Sequence, residues 1–322
     1  MKLPKYVVPI SIVGSTIGAF TLFRDKMGGL RYDGEERIPG KTVIVTGANT
    51  GLGKVTAKEL ANRGARVIMA CRDMTKCEEA CAEIIEETFN RRVVCKKLDL
   101  ASLESIREFA DDINKNEKRL DILINNAGVM GLSKRELTRD GFEMHLGVNH
   151  LGPFLLTNLL LDKLKACAPS RVVTLTSIVY RKAQIEFDNL NSARDYDYRW
   201  AYMQSKLANV LFSVELARRL EGTNVTTYVV HPGLSRTELG RHMNMNQSYL
   251  SSSILGPFWA LIFKTPDEGM QTTITCALDP KLEKETGKFY MECQEAALEK
   301  VAENKETAQR LWAISEKWTR LT

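Results

Sequence analysis

Short apolar runs alternate with longer amphipathic stretches along most of this chain. The apolar runs are four to six residues long and rich in valine, isoleucine and leucine, as is typical of parallel strands that are buried on both faces. The predicted strands cover residues 42–45, 66–70, 93–98, 121–124, 171–175 and 225–230. The predicted helices between them cover residues 55–63, 78–89, 102–114, 154–164 and 202–220.

This alternation predicts an α/β fold with a single Rossmann-type, doubly wound parallel sheet and helices on both faces. Ligands of such sheets bind at the carboxyl ends of the strands, so motifs that directly follow the apolar runs are candidate sites. We find no internal repeat and no second domain boundary. We therefore expect one domain over residues 39–322, preceded by a Gly-rich linker over residues 25–38.

The amino terminus departs from this pattern. Residues 6–23 form an uncharged run of 18 residues with basic residues on both sides. As a helix this run would span roughly 27 Å, just enough for a hydrocarbon core of about 30 Å. A membrane anchor, a cleaved signal peptide and a helix packed on the domain are the three alternatives. Because no signal-peptide cleavage site follows, we expect residues 1–24 to be a membrane-anchor or targeting segment.

Composition narrows the classes of function. With 322 residues, 44% of them hydrophobic and 26% charged, the chain resembles an ordinary globular protein. The net charge of +5 is spread along the sequence without a basic run, so we expect no nucleic-acid partner. The seven cysteines lack a C-x-x-C or Cys/His spacing suited to zinc. We therefore expect no metal site, and we expect the cysteines to be reduced structural thiols.

The first predicted strand leads into a glycine-rich turn, TGANTGLG, which a predicted helix and a second strand follow. A dinucleotide-binding motif requires this context. The glycines allow a tight turn and a close approach of a pyrophosphate, which then lies at the positive end of the helix. The candidate cofactor contacts in this turn are Thr46, Gly47, Asn49, Thr50, Gly51, Leu52 and Gly53.

The end of the second strand bears on which dinucleotide is bound. An acidic residue at this place would hold the ribose 2′-hydroxyl of NAD. Here the strand ends in Cys71-Arg72, and a guanidinium can bind a 2′-phosphate in bidentate fashion. The alternative is a solvated Arg72, with Asp73 acting as the acid one residue later. We predict NADP(H) as the cofactor, and NAD is the disfavoured alternative.

Tyr202 and Lys206 lie four residues apart in a predicted helix, so they share one helical face. A phenol has a reference pKa near 10, and a neighbouring ammonium favours the phenolate. Tyr202 could therefore give a proton to, or take one from, an oxygen bound to carbon. Because such pairs are also common on solvated helix faces, the pair alone does not identify a site.

Further motifs occur in a fixed order after the glycine-rich turn: Asn125-Asn126-Ala127-Gly128, Ser177 after an apolar strand, Tyr202-x-x-x-Lys206, and Pro232-Gly233. Together they resemble the short-chain dehydrogenase/reductase family. Longer stretches such as DILINNAGVM, DGFEMHLGVNHLG and HPGLSRTELGRH are similar to its retinol dehydrogenase branch. The resemblance covers roughly residues 39–312.

The resemblance implies a catalytic set. Tyr202 would donate a proton to the carbonyl in reduction or accept one from the alcohol in oxidation, and Lys206 would lower its pKa and hold the nicotinamide ribose. Ser177 would hydrogen-bond the substrate oxygen, and Asn149 would support a water-linked proton path past Lys206. A cap or turn role is the alternative for Ser177 and Asn149. The remaining implied cofactor contacts are Asp99, Leu100, Asn126, Ala127, Gly128, Pro232, Gly233 and Thr237.

The resemblance further implies an NADP(H)-dependent oxidoreductase that interconverts a small hydrophobic, retinoid-like aldehyde and its alcohol, mainly by reduction. A dehydrogenase of steroid or other lipid alcohols and a non-catalytic NADP(H)-binding scaffold are the alternatives. The apolar, aromatic stretch at residues 249–263 could cover such a substrate, contact a membrane or pack on the core. Thr176 and Tyr180 depart from the branch pattern, and we expect both beside the substrate oxygen.

The resemblance also concerns location and assembly. It favours a membrane-associated protein of the mitochondrial inner membrane, with the endoplasmic reticulum as the second choice. It allows a homodimer built on the long helices.

Overall fold

The computed structural model describes residues 28–234 and 263–321. Its strands are Thr42–Thr46 (β1), Arg66–Cys71 (β2), Val93–Lys97 (β3), Ile122–Asn125 (β4), Ser170–Leu175 (β5), Val225–His231 (β6), Lys288–Met291 (β7) and Gln294–Ala296 (β8). They form one sheet in the order β3-β2-β1-β4-β5-β6-β7-β8. All neighbouring strands are parallel except β7 and β8. The strand order reverses between β1 and β4, where this architecture binds ligands.

Helices cover the sheet on both faces. They are Gly51–Asn62 (α1), Met74–Thr88 (α2), Leu103–Asn116 (α3), Gly152–Leu159 (α4), Leu161–Ala166 (α5), Tyr198–Arg219 (α6), Gln271–Leu278 (α7) and Lys305–Thr319 (α8). Shorter helical pieces are Met144–Leu146, the π-helical turn Gly147–Leu151, and Pro266–Gly269. Single 3₁₀ turns cover Ile178–Lys182, Phe187–Asn189, Pro280–Leu282 and Lys300–Ala302.

The core explains why the strand signal in the sequence is continuous rather than alternating. All five residues of β1 are buried. Val43 and Val45 belong to the apolar cluster on one face, and Ile44 belongs to the cluster on the other. A strand packed on both faces has no solvent side, so every position is apolar or hydrogen-bonded. The predicted doubly wound α/β fold is confirmed.

Several element boundaries differ from the prediction for identifiable reasons. Helix α6 begins at Tyr198 rather than at Tyr202, because the Asp197 carboxylate accepts hydrogen bonds from the first backbone N–H groups of the helix. The stretch predicted as one helix over residues 154–164 is two helices, α4 and α5, which meet at Leu160. The sequence pattern did not predict β7 and β8.

The expectation that the cysteines are all reduced thiols is wrong. Cys77 on α2 and Cys95 on β3 form a disulfide, with their Cα atoms 6.1 Å apart. Helix α2 packs directly on β3, so tertiary packing brings together two residues whose spacing in the sequence carries no pairing signal. The other cysteines are free thiols.

The chain just before β1 lies on the domain. The backbone N–H of Tyr32 donates to Gln271 Oε1 at 3.0 Å, and the Arg63 guanidinium lies 5.3 Å from the centre of the Tyr32 ring. Residues 1–24, the expected anchor, lie outside the described part of the chain. Within the described residues, no helix is long and apolar enough to cross a membrane.

Candidate active site

The glycine-rich turn packs backbone against backbone. Gly47 has a φ of +64°, which favours glycine, and its N–H donates to Ala70 O at 2.8 Å. A Cβ placed on Gly53 would lie 2.3 Å from Gly47 O, closer than a side chain permits. Helix α1 begins at Gly51, and the Thr50 side chain accepts no hydrogen bond from its first turn. The turn thus presents the positive end of a helix, as a dinucleotide pyrophosphate requires.

Thr46 and Asn126 hold this turn to the neighbouring strand β4. Thr46 Oγ1 accepts hydrogen bonds from the backbone N–H groups of Asn126 and Ala127, each at 3.0 Å. In return, Asn126 Nδ2 donates to Thr46 O at 2.8 Å. Thr46 is fully buried, so its observed contacts position the turn.

The region after β2 carries positive charge. Arg72 is exposed, and Lys97, at the end of β3, donates from Nζ to Arg72 O at 2.7 Å. The neighbouring acid, Asp73, is the N-cap of α2 and accepts from Lys76 N at 3.2 Å. The carboxylate of Asp73 is therefore engaged by the helix start, and the exposed charges beside it are basic.

Asp99 and Leu100 follow β3. Asp99 Oδ1 accepts from Ala101 N at 3.0 Å, which closes a local turn, and the Asp99 N–H donates to Ser105 Oγ at 3.0 Å. Leu100 is buried. Asp99 therefore stabilises a local turn at the carboxyl edge of the sheet.

Ser177, Tyr202 and Lys206 meet where β5 ends. Ser177 is the second residue after β5, and the other two lie on α6. The Ser177 side chain interacts with the Tyr202 hydroxyl and lowers its pKa. Lys206 Nζ lies 5.7 Å from the centre of the Tyr202 ring and donates to Leu175 O at 3.4 Å. Tyr202 and Lys206 are 8% and 4% exposed, so both side chains lie away from bulk water.

Burial controls the ionisation of both side chains. It raises the pKa of Tyr202 to about 12. The interaction with the Ser177 side chain lowers this pKa, but by less than burial raises it. Burial also lowers the pKa of Lys206 to about 8. Desolvation is the largest cause, so the net shift of the Tyr202 pKa is upward, and the lowering by Lys206 stays a prediction. Tyr202 is a protonated phenol at neutral pH.

Asn149 lies in the π-helical turn Gly147–Leu151. Its Oδ1 accepts from Val129 N at 2.8 Å, and its Nδ2 donates to Val129 O at 3.1 Å and to Ser205 Oγ at 2.9 Å. A Cβ on Gly128 would lie 3.2 Å from Asn149 Oδ1 and 3.5 Å from Lys206 Nζ, so both side chains converge on Gly128. Such wide turns inside helices often occur at functional sites.

The chain leaves the sheet after β6 through Pro232 and Gly233, whose φ is +79°. It returns at Lys264, whose N–H donates to Leu234 O at 2.8 Å. Lys264 Nζ also contacts both carboxylate oxygens of Glu292 at 2.6 Å. Thr237 and residues 249–262, which the sequence assigned to cofactor and substrate, lie outside the described residues.

The side chains of Thr176 and Asn209 attach α6 to the end of β5. Thr176 Oγ1 donates to Lys206 O at 2.8 Å, and Asn209 Nδ2 donates to Leu175 O at 3.1 Å. The expectation that Thr176 and Tyr180 lie beside the substrate oxygen stays a prediction, and both side chains have contacts within the protein. The Thr176 side chain points to α6, and Tyr180 is fully buried against the Phe289 ring at 5.5 Å. Since side chains alternate along an extended chain, Thr176 and Ser177 point in different directions.

The predicted site residues of the described chain thus lie along the carboxyl edge of one sheet. They combine a turn shaped for a dinucleotide with a buried phenol, an ammonium and a hydroxyl. Within residues 28–234 and 263–321, no cluster of His, Cys, Asp or Glu side chains is arranged to hold a metal ion. The fold and the site define the class of nicotinamide-dependent oxidoreductases.

Comparison with known proteins narrows this class. A sequence profile described as short chain dehydrogenase matches residues 41–248. The chain belongs to the short-chain dehydrogenase family. It is 52% identical to retinol dehydrogenase 13 of Mus musculus over 97% of this chain and 94% of the relative. It is 51% identical to retinol dehydrogenase 12 of Homo sapiens over 87% of this chain and 86% of the relative. The similarity to retinol dehydrogenases is therefore confirmed.

A solved structure supports the fold independently. An uncharacterised protein from Mycobacterium Paratuberculosis superposes with a TM-score of 0.71 at 36% identity. The superposition covers 91% of this chain and 98% of that one.

Proposed function

We propose that this protein is an NADP(H)-dependent oxidoreductase that interconverts a retinoid-like aldehyde and its primary alcohol. The observation that carries the proposal is the buried Tyr202 phenol, whose pKa the Ser177 side chain lowers and beside whose ring Lys206 lies on the same helix. The similarity to retinol dehydrogenases supports the class of substrate. A retinoid is small and hydrophobic, which suits a reaction centre removed from water.

Tyr202, Ser177 and Lys206 have different roles in the proton transfer. A nicotinamide dinucleotide held at the glycine-rich turn would supply the hydride for reduction of the carbonyl carbon. Tyr202 donates its phenolic proton to the carbonyl oxygen, so the products are an alcohol and the oxidised dinucleotide. The Ser177 hydroxyl donates a hydrogen bond to the same oxygen and orients it. Lys206 then stabilises the phenolate by its charge until a proton returns.

We infer that reduction is the main direction. Since burial raises the pKa of Tyr202 to about 12, the phenol carries its proton at neutral pH and is ready to act as a donor. Oxidation would require this buried group to lose its proton first. A compartment rich in NADPH would favour the same direction.

We propose NADP(H) rather than NAD as the cofactor. The exposed Arg72 can bind a 2′-phosphate, and Asp73, which could hold a 2′-hydroxyl instead, caps α2. We expect Arg72→Gln to reduce the preference for NADPH over NADH by roughly 10–150-fold, since a charge-assisted contact contributes roughly 1.5–3 kcal/mol. Arg91→Gln removes an exposed arginine before β3 and is the matched control. An unchanged preference in Arg72→Gln would contradict the assignment.

The reaction itself is tested with purified protein lacking residues 1–24. NADPH oxidation is measured with retinal, with a steroid ketone and without a carbonyl. We expect turnover with retinal and a loss of at least about 100-fold in kcat for Tyr202→Phe, because proton transfer contributes roughly 10²–10⁴-fold. Tyr198→Phe, one turn earlier on α6, is the control and keeps its activity. Faster turnover of the steroid would favour the lipid-alcohol alternative, and no turnover by NADPH-binding protein would favour the scaffold alternative.

We propose that residues 1–24 attach the protein to a membrane, with the mitochondrial inner membrane favoured. The uncharged run at residues 6–23 and the relationship to retinol dehydrogenase 13 support this proposal. Fractionation of cells that express the full chain, or residues 25–322 only, tests it. We expect the full chain alone to sediment with mitochondrial membranes and to resist extraction at high pH.

A further inference from the structure

Two buried polar side chains beside Tyr202 have no part in the proposed proton transfer. Glu143 is 1% exposed and His145 is fully buried. They lie just before the π-helical turn that carries Asn149. An isolated buried carboxylate is costly, so its contacts indicate what it does.

The Glu143 carboxylate holds the imidazole in one orientation. It accepts hydrogen bonds from the backbone N–H groups of His145 at 3.0 Å and Leu146 at 2.8 Å. It also contacts His145 Nδ1 at 2.7 Å. A carboxylate only accepts hydrogen bonds, so Nδ1 carries the proton and the ring cannot turn without breaking this bond.

The imidazole in turn contacts the ring of Tyr202. The two ring centres are 6.1 Å apart, and the ring planes meet at 71°, in the edge-to-face geometry that aromatic rings prefer. Tyr202 is therefore confined by His145, by Ser177 at its hydroxyl and by Lys206 near its ring.

An apolar pair would fill the same space without a buried charge. Replacing buried ion pairs by apolar residues of similar volume is often neutral or stabilising, so stability alone does not account for Glu143 and His145. What the polar pair adds is a fixed ring orientation. The same residues also start the segment that positions Asn149: the Gly147 N–H donates to Glu143 O at 2.7 Å.

We propose that Glu143 and His145 are positioning residues for the reaction. The Glu143 carboxylate orients the His145 imidazole, and the imidazole fixes the Tyr202 phenol relative to Ser177 and Lys206. This inference rests on the proposed oxidoreductase function. A misplacement of a reacting group by about 1 Å can cost roughly 100-fold in rate.

The test uses two variants that act on different parts of the pair. Glu143→Gln keeps the shape of the side chain but replaces one carboxylate oxygen by a donor, so the imidazole loses its fixed tautomer. His145→Asn can keep a donor to Glu143 but removes the ring that contacts Tyr202. His150→Phe is the matched control, because His150 is equally buried but packs against Phe154 and Phe212 instead of Tyr202.

The readouts are kcat and KM with retinal and NADPH, normalised to the concentration of NADPH-binding sites. We expect both variants of the pair to lower kcat by about 10–100-fold, with the Kd for NADPH within about twofold of the wild type. We expect His150→Phe to lower thermal stability but to keep kcat within about twofold. An unchanged kcat in His145→Asn, or an equal loss in His150→Phe, would overturn the proposal. If Glu143→Gln does not fold, His145→Asn decides alone.

A crystal structure of His145→Asn gives a readout that does not depend on turnover. We expect the Tyr202 hydroxyl to be displaced from Ser177, and an undisplaced phenol would overturn the proposal. If the wild type reduces no carbonyl, the proposed function fails, while the position of the phenol still decides whether the pair holds it.

Discussion

Replacing Gly53 by alanine perturbs the glycine-rich turn at its tightest contact. The added Cβ would lie 2.3 Å from Gly47 O and 2.6 Å from Asn126 Nδ2. Observed Cβ contacts are essentially never shorter than 3.0 Å, so the turn must open by about 0.7 Å. Gly47 has little room to move, because its N–H is bonded to Ala70 O at 2.8 Å and a Cβ on Gly47 would already lie 3.0 Å from the Ala127 side chain.

Two effects of this substitution oppose each other. Alanine favours the helical position by roughly 0.5–1 kcal/mol over glycine. Overpacking costs typically about 1–3 kcal/mol. The clash is the larger effect, and it acts on the backbone that would receive the pyrophosphate. We expect a net loss of roughly 1–2 kcal/mol in binding, or about a 5–30-fold rise in the Kd for NADPH.

Fluorescence titration with NADPH measures this change. Gly40→Ala is the control: Gly40 has a positive φ of +82° and lies at the opposite end of β1, with no atom near its Cβ position. We expect Gly40→Ala to lower stability and to leave the Kd unchanged. Wild-type affinity in a folded Gly53→Ala variant would refute the assignment of this turn to the dinucleotide.

Three further outcomes are expected. Phe89→Gly stabilises the protein by roughly 0.5–1 kcal/mol in urea unfolding, because Phe89 is 90% exposed and holds a left-handed φ of +55°. Thr46→Val destabilises it by roughly 2–4 kcal/mol while Thr46→Ser does not, because valine leaves the N–H groups of Asn126 and Ala127 without their acceptor. Burial lowers the pKa of His231 to about 4, so between pH 6.5 and 4 the unfolded state binds a proton that the folded state does not. Stability therefore falls over this range by up to about 3 kcal/mol, and unfolding of His231→Gln at several pH values lacks this part of the slope.

The parts of the fold that the sequence predicted are those with strong local patterns. Strands β1 to β6 are buried in the middle of a parallel sheet, so their apolar runs are continuous and easy to recognise. The edge strand β8 consists of Gln294–Ala296, which is short and largely exposed, and no periodic pattern marks it. The Cys77–Cys95 disulfide depends on how α2 packs on β3, which spacing in the sequence does not contain.

The candidate site divides in the same way. Motifs at strand ends could be located because the sheet brings those ends together. The pKa of Tyr202 could not be predicted, because the sequence shows the ammonium four residues away but not the burial that raises this pKa. Glu143 and His145 also escaped notice, since one glutamate and one histidine in a predicted non-helical stretch are common in any chain.

The backbone hydrogen bond between Lys264 and Leu234 affects which changes in sequence the fold can tolerate. Leu234 and Lys264, which flank residues 235–262, are hydrogen-bonded to each other, and an ion pair between Lys264 and Glu292 fastens this point to the turn after β7. Since the entropy of closing a loop grows only slowly with its length, a segment of different length or composition could be grafted between these two residues at little cost to the sheet. The length or composition of this segment could thus change while Ser177, Tyr202 and Lys206 stay in place.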